Sequence, residues 1–208
     1  MSAPETAAIV LAAGCSRRMG AANKLLLPLA GAPMVRRVAE TALESRARPV
    51  IVVTGHEADA ITGALAGLPL VLVRNPGYGS GLASSLGVGI AAVPAECAAA
   101  LVLLGDMPHV RRATLDALIA ALDAPAGRTV AVPVHDGRRG NPVIWHRRHF
   151  AALRRLEGDR GARRLFPRLG SAIVDVPVDD PGIHIDIDSE EATTRGRNAR
   201  SSRAPDRR

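Results

Sequence analysis

The chain has 208 residues, 47% of them hydrophobic and 23% charged, with a formal net charge of +7. That length gives one domain, or one domain with an appendage, and the apolar content is too high for a disordered chain. No apolar run approaches the roughly 18 residues needed to span a bilayer, and aromatics at 2% leave almost nothing to stack on single-stranded nucleic acid.

Strand and helix signals alternate along the chain. Ala7 to Ala12 is a continuous apolar run, as expected of a strand buried on both faces. Pro33 can open a helix running to about Arg46, with Val35, Val38, Ala39 and Ala42 at helical spacing. Pro49 to Thr54 reads as a second strand, Glu57 to Leu65 as a helix and Pro69 to Val73 as a third strand. A loop of Asn, Pro, Gly, Tyr and Ser then leads into a helix from about Leu82 to Val93. Ala99 to Leu104 is strand four, followed by a helix from Arg111 to Leu122. Thr129 to Val134 and Pro142 to Trp145 read as two strands joined like a hairpin. Short helices near Arg147 to Arg155 and Gly161 to Phe166 precede strands at Ala172 to Val176 and Ile183 to Ile187. This alternation implies an α/β fold with a mainly parallel sheet covered on both faces, whose ligands sit beyond the carboxyl ends of the strands.

The charge is unevenly placed. From Thr193 onward six arginines face one aspartate, a net of +5, whereas the first 192 residues carry +2. The tail 193–208 has no apolar periodicity and reads as a disordered basic appendage to a domain spanning 1–192. The apolar segment at 7–13 is short and runs into Arg17 and Arg18, so no secretory signal is expected. Two cysteines, Cys15 and Cys97, fit a reducing compartment, and the expectation is a cytoplasmic protein without membrane or specific nucleic-acid partners. Of 27 basic residues 26 are arginine, and Lys24 is the only lysine. The two cations are not interchangeable, and this lysine stands beside a glycine-rich turn.

Five segments can carry chemistry. The turn from Leu11 to Gly20 is no P-loop, because five residues separate Gly14 from Gly20 and Lys24 follows four later. It lacks Gly-x-Gly-x-x-Gly as well. It can still turn backbone amides toward an anion, with Ser16, Arg17 and Lys24 adding a hydroxyl and two cations within reach of a triphosphate. Asp106, directly after a very apolar strand, is costly to bury unless it meets a cation; Mg²⁺ held by one or two carboxylates plus phosphates would suit it. His184, Asp186 and Asp188 alternate with Ile183, Ile185 and Ile187, so a strand there would put the carboxylates on one face, either solvated or offering a second metal ligand. In the loop Asn75 to Ser85, Gly79 and Gly81 permit close backbone approach, and Ser84 and Ser85 could bond a base or phosphate. The stretches 137–142 and 158–163 offer arginines and backbone donors to a second anionic substrate.

Together these motifs resemble one family. LAAGCSRRMG with NKLLLP at 11–28, NPGYGSGLASSL at 75–86, LGDMP at 104–108, RGNPVIW at 139–145, GDRGAR at 158–163 and DIDSEE at 186–191 are similar to the nucleotidyltransferases of molybdenum-cofactor biosynthesis, most closely the molybdenum cofactor cytidylyltransferases. The resemblance implies a Rossmann-like three-layer nucleotidyltransferase fold. The activity it implies is transfer of CMP from CTP to the terminal phosphate of a molybdopterin-type cofactor. On that basis Leu11, Ala12, Ala13 and Gly14 would hold base and ribose, with Ser16, Gly20, Gly79, Gly81, Ser84 and Ser85 completing the nucleotide site. Arg17 and Lys24 would hold the triphosphate, and Asp106 the Mg²⁺ with Asp188 or Asp186. Arg139, Asn141, Pro142, Asp159 and Arg163 would face the acceptor. Ala13, where guanylyl-transferring relatives tend to carry glycine, favours CTP over GTP. A recipient molybdoenzyme or its maturation chaperone is the implied partner. A guanylyltransferase and a non-catalytic cofactor-binding factor are the alternatives. Ala83 departs from a more common serine, and Ser189-Glu-Glu from Thr-Pro-Glu.

Overall fold

The computed structural model describes residues 5–14, 23–122, 127–159 and 161–187. Strand β1 (Thr6–Ala12) is followed by a 3₁₀ turn at Lys24–Leu26 and a small hairpin, β2 (Pro28–Leu29) and β3 (Ala32–Pro33), which the apolar pattern does not announce. Then come α1 (Met34–Glu44), β4 (Val50–Thr54), α2 (Ala58–Ala64), β5 (Val71–Arg74), α3 (Leu82–Ala91), β6 (Ala99–Leu104) and α4 (Arg112–Leu122). The second half holds β7 (Val130–His135), β8 (Arg138–Arg139), β9 (Val143–His146), α5 (Phe150–Leu153), α6 (Phe166–Leu169) and β10 (Ile173–Pro177).

The central sheet runs β10-β7-β9-β6-β1-β4-β5, with β8 paired to β7. β1 pairs in parallel with β4 and β6, β4 with β5, and β7 with β10; β9 alone on this path is antiparallel to both neighbours. The side chains of β1 and β4 are buried throughout, because each faces helices on both sides of the sheet. On one face Val10 and Val52 meet Val38 of α1, Ile61 of α2 and Leu118 of α4. On the other, Ile9 and Val53 meet Leu86 and Ile90 of α3 with Trp145 and Leu153. The α/β three-layer architecture with a mainly parallel sheet is therefore as expected.

One element differs. The segment expected as a strand from Ile183 to Ile187 is a 3₁₀ turn at Pro181–His184 followed by irregular chain. Asp180, 2% exposed, caps it: Oδ1 accepts from Gly182 N at 3.0 Å, while Oδ2 accepts from Arg111 N and Thr114 Oγ1 at 2.8 and 2.6 Å. Ile183 and Ile187 are buried while Ile185 is 42% exposed, so the alternation does not sort isoleucines from carboxylates. Among the described residues no helix is long and apolar enough to cross a membrane. The tail 193–208 and Cys15 lie outside the described residues. Cys97 is buried beside β6, and burial raises its thiol pKa, as befits a packing residue.

Candidate active site

The carboxyl ends of β1 and β6 lie side by side, Leu11 opposite Leu104, and Gly105 N donates to Leu11 O at 3.0 Å. The chain then turns, Met107 N donating to Leu104 O, and Asp106 stands at the strand's end. Facing it, buried Asn23 accepts from Leu25 N through Oδ1 at 3.1 Å and so starts the 3₁₀ turn that carries Lys24. Leu25, 4% exposed, anchors that turn in the core. The outcome is an ion pair across 82 residues of chain: Lys24 Nζ donates to Asp106 Oδ2 at 2.7 Å, with side chains only 15% and 21% exposed. The chain's single lysine and the acidic residue after its most apolar strand thus share one floor.

Above that floor opens a cavity of about 340 Å³, bordered by Leu11, Ala13, Gly14 and the loop residues Tyr78, Gly79, Gly81 and Ser85. Buried Asn75 shapes the loop. Its Oδ1 accepts from Gly77 N at 2.9 Å, and its Nδ2 donates to Ser84 Oγ and Ser85 Oγ at 2.6 and 3.0 Å. Tyr78 forms a wall that the sequence reading passed over, although it is the only tyrosine in an aromatic-poor chain. It fits because residue 55 is glycine: a Cβ there would lie 2.7 Å from that of Tyr78 and 2.8 Å from that of Ala13. The carbonyls of Leu11 and Ala13 already accept from Gly105 N and His56 N. Exposed Gly14 presents the next stretch of backbone to the opening.

A second cavity of about 170 Å³ adjoins the first, and Leu11, Leu82, Leu104 and Asp159 line both. Its remaining wall is apolar, with Leu86, Val102, Val143 and Trp145, and its polar groups are Asn141 and Arg163. Arg163 Nη2 donates to Asn141 Oδ1 at 3.4 Å, a long contact. Partial desolvation, then the nearby Arg139 charge, lowers the Arg163 pKa from its ordinary value; an anion in this cavity would relieve both.

Several expected site residues stand elsewhere. Arg139 lines neither cavity: Asp175 of β10 holds its guanidinium at 2.7 and 3.1 Å, and it lies over the Phe166 ring. Pro142 is buried and faces Met107 and Val110 on the other side of the sheet. Ala12 is wholly buried within β1, and Ser84 spends its hydroxyl on Gly77 O and Asn75. Asp186 is exposed and borders neither cavity, although Ile187 N donates to Asp106 O at 3.0 Å and brings that segment alongside. Ser16, Arg17, Gly20 and Asp188 lie outside the described residues. Among the described residues no three His, Cys, Asp or Glu side chains are grouped to hold a metal ion. Mg²⁺ does not require such a group, since it keeps waters and takes one or two carboxylates with substrate phosphates, and Asp106 at a cavity floor suits that pattern.

Comparison with known proteins agrees with this geometry. The chain is 34% identical over 97% of its length to the whole of the purine catabolism protein PucB of Bacillus subtilis (strain 168). It is 31% identical over 92% of its length to nicotine blue oxidoreductase of Paenarthrobacter nicotinovorans, covering 96% of that protein. Against the bifunctional GlmU proteins of Alkalilimnicola ehrlichii and Geobacter metallireducens the match reaches 41% and 34% identity but spans only 26% and 30% of their length. Among solved structures, Rv0371c of Mycobacterium tuberculosis H37Rv superposes with a TM-score of 0.81 at 28% identity, over 93% of this chain and 98% of that one. A nucleotidyl transferase of Methanothermobacter thermautotroptrophicus gives a TM-score of 0.79 at 26% identity, over 95% and 99%. The family model of the MobA-like NTP transferase domain matches residues 8–173, from within β1 to the start of β10, so the chain belongs to that family.

Proposed function

We propose that this protein transfers CMP from CTP to the terminal phosphate of a molybdopterin-type cofactor and releases pyrophosphate. The observation that carries the reading is the pair of adjoining cavities, one floored by Lys24 and Asp106, the other walled by Trp145 and rimmed by Arg163. A nucleoside triphosphate in the first would lay its phosphates over Lys24. An acceptor with a flat ring system and a phosphate suits the second, with its apolar wall, Asn141 and Arg163. The shared border at Leu11, Leu82, Leu104 and Asp159 is then where the two substrates meet.

The chemistry asks little of side chains beyond placement and charge. An acceptor phosphate oxygen forms a bond to the α-phosphorus as the bond to the pyrophosphate oxygen breaks. The attacking oxygen is already an anion, so no general base is required. Lys24 is placed to meet the triphosphate once it leaves Asp106, and Asp106, with Asp188 as the candidate second ligand, would hold Mg²⁺. When bound there, the ion supplies positive charge to the departing pyrophosphate. A structure of Rv0371c in complex with manganese supports a divalent ion on this fold. Choice of CTP rests on Ala13, whose methyl fills the space that Gly55 leaves beside Tyr78 and narrows the backbone's approach to a base.

Pyrophosphate release measured with each of the four NTPs, with and without molybdenum cofactor, tests the reading. CTP with cofactor should be the productive combination. GTP as the preferred nucleotide would make the protein a guanylyltransferase. Nucleotide-independent cofactor binding without turnover would make it a maturation factor. Absence of Gly-x-Gly-x-x-Gly argues against a redox enzyme using a nicotinamide, and a parallel assay of NAD(P)H oxidation should show no activity.

A further inference from the structure

The first turn of a helix leaves backbone N–H groups without partners, and a side chain just before it usually takes one of them. Helix α3 has no such residue, because its N-cap is Gly81. Its amides are closed from elsewhere in the chain. Asp159 Oδ1, 77 residues away, accepts from Leu82 N at 3.2 Å, and Gly158 O accepts from Ala83 N at 3.1 Å. A carboxylate there also faces the positive end of the helix.

The fit is steric as well as polar. Gly81 has φ +110°, and a Cβ at that position would lie 2.6 Å from Asp159 Oδ1 and 2.7 Å from the Gly158 carbonyl carbon. The 158–159 turn is seated on residue 81 with no room for a side chain between them. Leu82 and Asp159, donor and acceptor of this bond, are two of the four residues that border both cavities.

We infer that Asp159 is a positioning residue that locks the nucleotide loop 77–85 to the Gly158–Asp159 turn at the acceptor cavity, so that the two substrate cavities are held in register as one unit. This rests on the proposed two-substrate reading of the cavities, and it gives Asp159 a role other than contact with the acceptor. Loosening the lock disturbs both subsites together, while the groups that meet the reacting phosphates stay in place.

The test compares wild type, Asp159→Ala and Asp159→Asn. Asparagine keeps an acceptor oxygen and is as good a cap as aspartate, whereas alanine removes it. In pyrophosphate-release kinetics, Asp159→Ala should raise KM for CTP and for the cofactor together, each about three- to thirtyfold, as loss of a cap would predict. Asp159→Asn should restore most of both. A rise in the cofactor KM alone would mean an ordinary acceptor contact and overturn the inference. So would a fall in kcat with both KM values unchanged, or an asparagine variant as impaired as alanine. Amide hydrogen exchange reads the lock without any substrate: Asp159→Ala should speed exchange at Leu82 and Ala83 about three- to thirtyfold, and unchanged exchange there would refute it. If wild type releases no pyrophosphate with any nucleotide, the proposed function fails, and the exchange measurement still decides whether Asp159 holds the loops.

Discussion

Lys24 and Asp106 can each act on substrate as proposed only if they part, and their contact adds to what parting costs. The ammonium sits 2.7 Å from the carboxylate with both side chains mostly shielded. A triphosphate binding without metal must draw Lys24 away and leave Asp106 facing its own negative charge. A hydrogen bond between charged partners contributes about 1.5–3 kcal/mol net, and the partial exposure of this pair favours the lower end. Each ~1.4 kcal/mol is a factor of ten in affinity, so Asp106→Asn should bind CTP in EDTA about tenfold more tightly than wild type. The same variant should lose at least about 100-fold in turnover with Mg²⁺, because the residue proposed to hold the ion is gone. Isothermal titration in EDTA with wild type, Asp106→Asn, Lys24→Ala and the double variant closes a cycle that isolates the pair. Equal or weaker metal-free binding by Asp106→Asn would refute the reasoning. A gain of the same size in the Lys24→Ala background would assign the effect to repulsion of phosphate by Asp106 and not to the captured lysine.

Three further outcomes are expected. Lys24→Arg keeps the charge, but a planar guanidinium replaces a compact ammonium beside Asp106, and steady-state kinetics should show a loss of about 2–4 kcal/mol of transition-state stabilisation, mainly in kcat. Gly81→Ala should lower the melting temperature by roughly 4–8 °C, since φ +110° and the 2.6 Å approach of Asp159 each oppose a Cβ, and about 2 kcal/mol is a fair sum for a chain of this size. His149 and His146 have lowered pKa values, through burial first and then the charge on Arg148, so the unfolded chain binds protons more readily than the folded one. Stability is therefore full above the unfolded value of about 6.5 and falls as pH drops below it; melting temperatures across pH 7.5 to 5.5 should show this slope, and His149→Gln should reduce it.

The central parallel strands were legible because burial on both faces leaves a plain mark, an unbroken apolar run, at 7–12, 50–53 and 99–104. Lys24 was legible because arginine serves everywhere else. What the sequence withheld was partnership. Arg139 looks like an anion ligand until Asp175 is found beside it, and Ser84 looks like one until its hydroxyl is traced to the Asn75 loop. The alternation at 183–187 misled for a similar reason. Asp180 spends one carboxylate oxygen on Gly182 and the other on the start of α4, and that tertiary cap winds the chain into a 3₁₀ turn that a local period of two cannot reveal. Tyr78 was missed because its position depends on the absent side chain of Gly55, 23 residues earlier.

The strand order explains why a second cavity lies beside the first. In a wholly parallel sheet the neighbour of β6 would end in another strand-to-helix turn, and the space next to Leu104 would be filled by it. Here the neighbour is β9, which runs the other way, with Val143 opposite Val102 and Trp145 opposite Ala100. Its beginning, not its end, therefore stands beside the carboxyl end of β6. Gly140 N and Asn141 N fix that beginning by donating to Pro133 O and Ile183 O. Asn141 is thereby delivered to the rim and Val143 and Trp145 to the wall, while the chain beyond α5 supplies Asp159 and Arg163. The reversed strand that the sequence announces only as half of a hairpin is what makes room for the second cavity beside the one floored by Lys24 and Asp106.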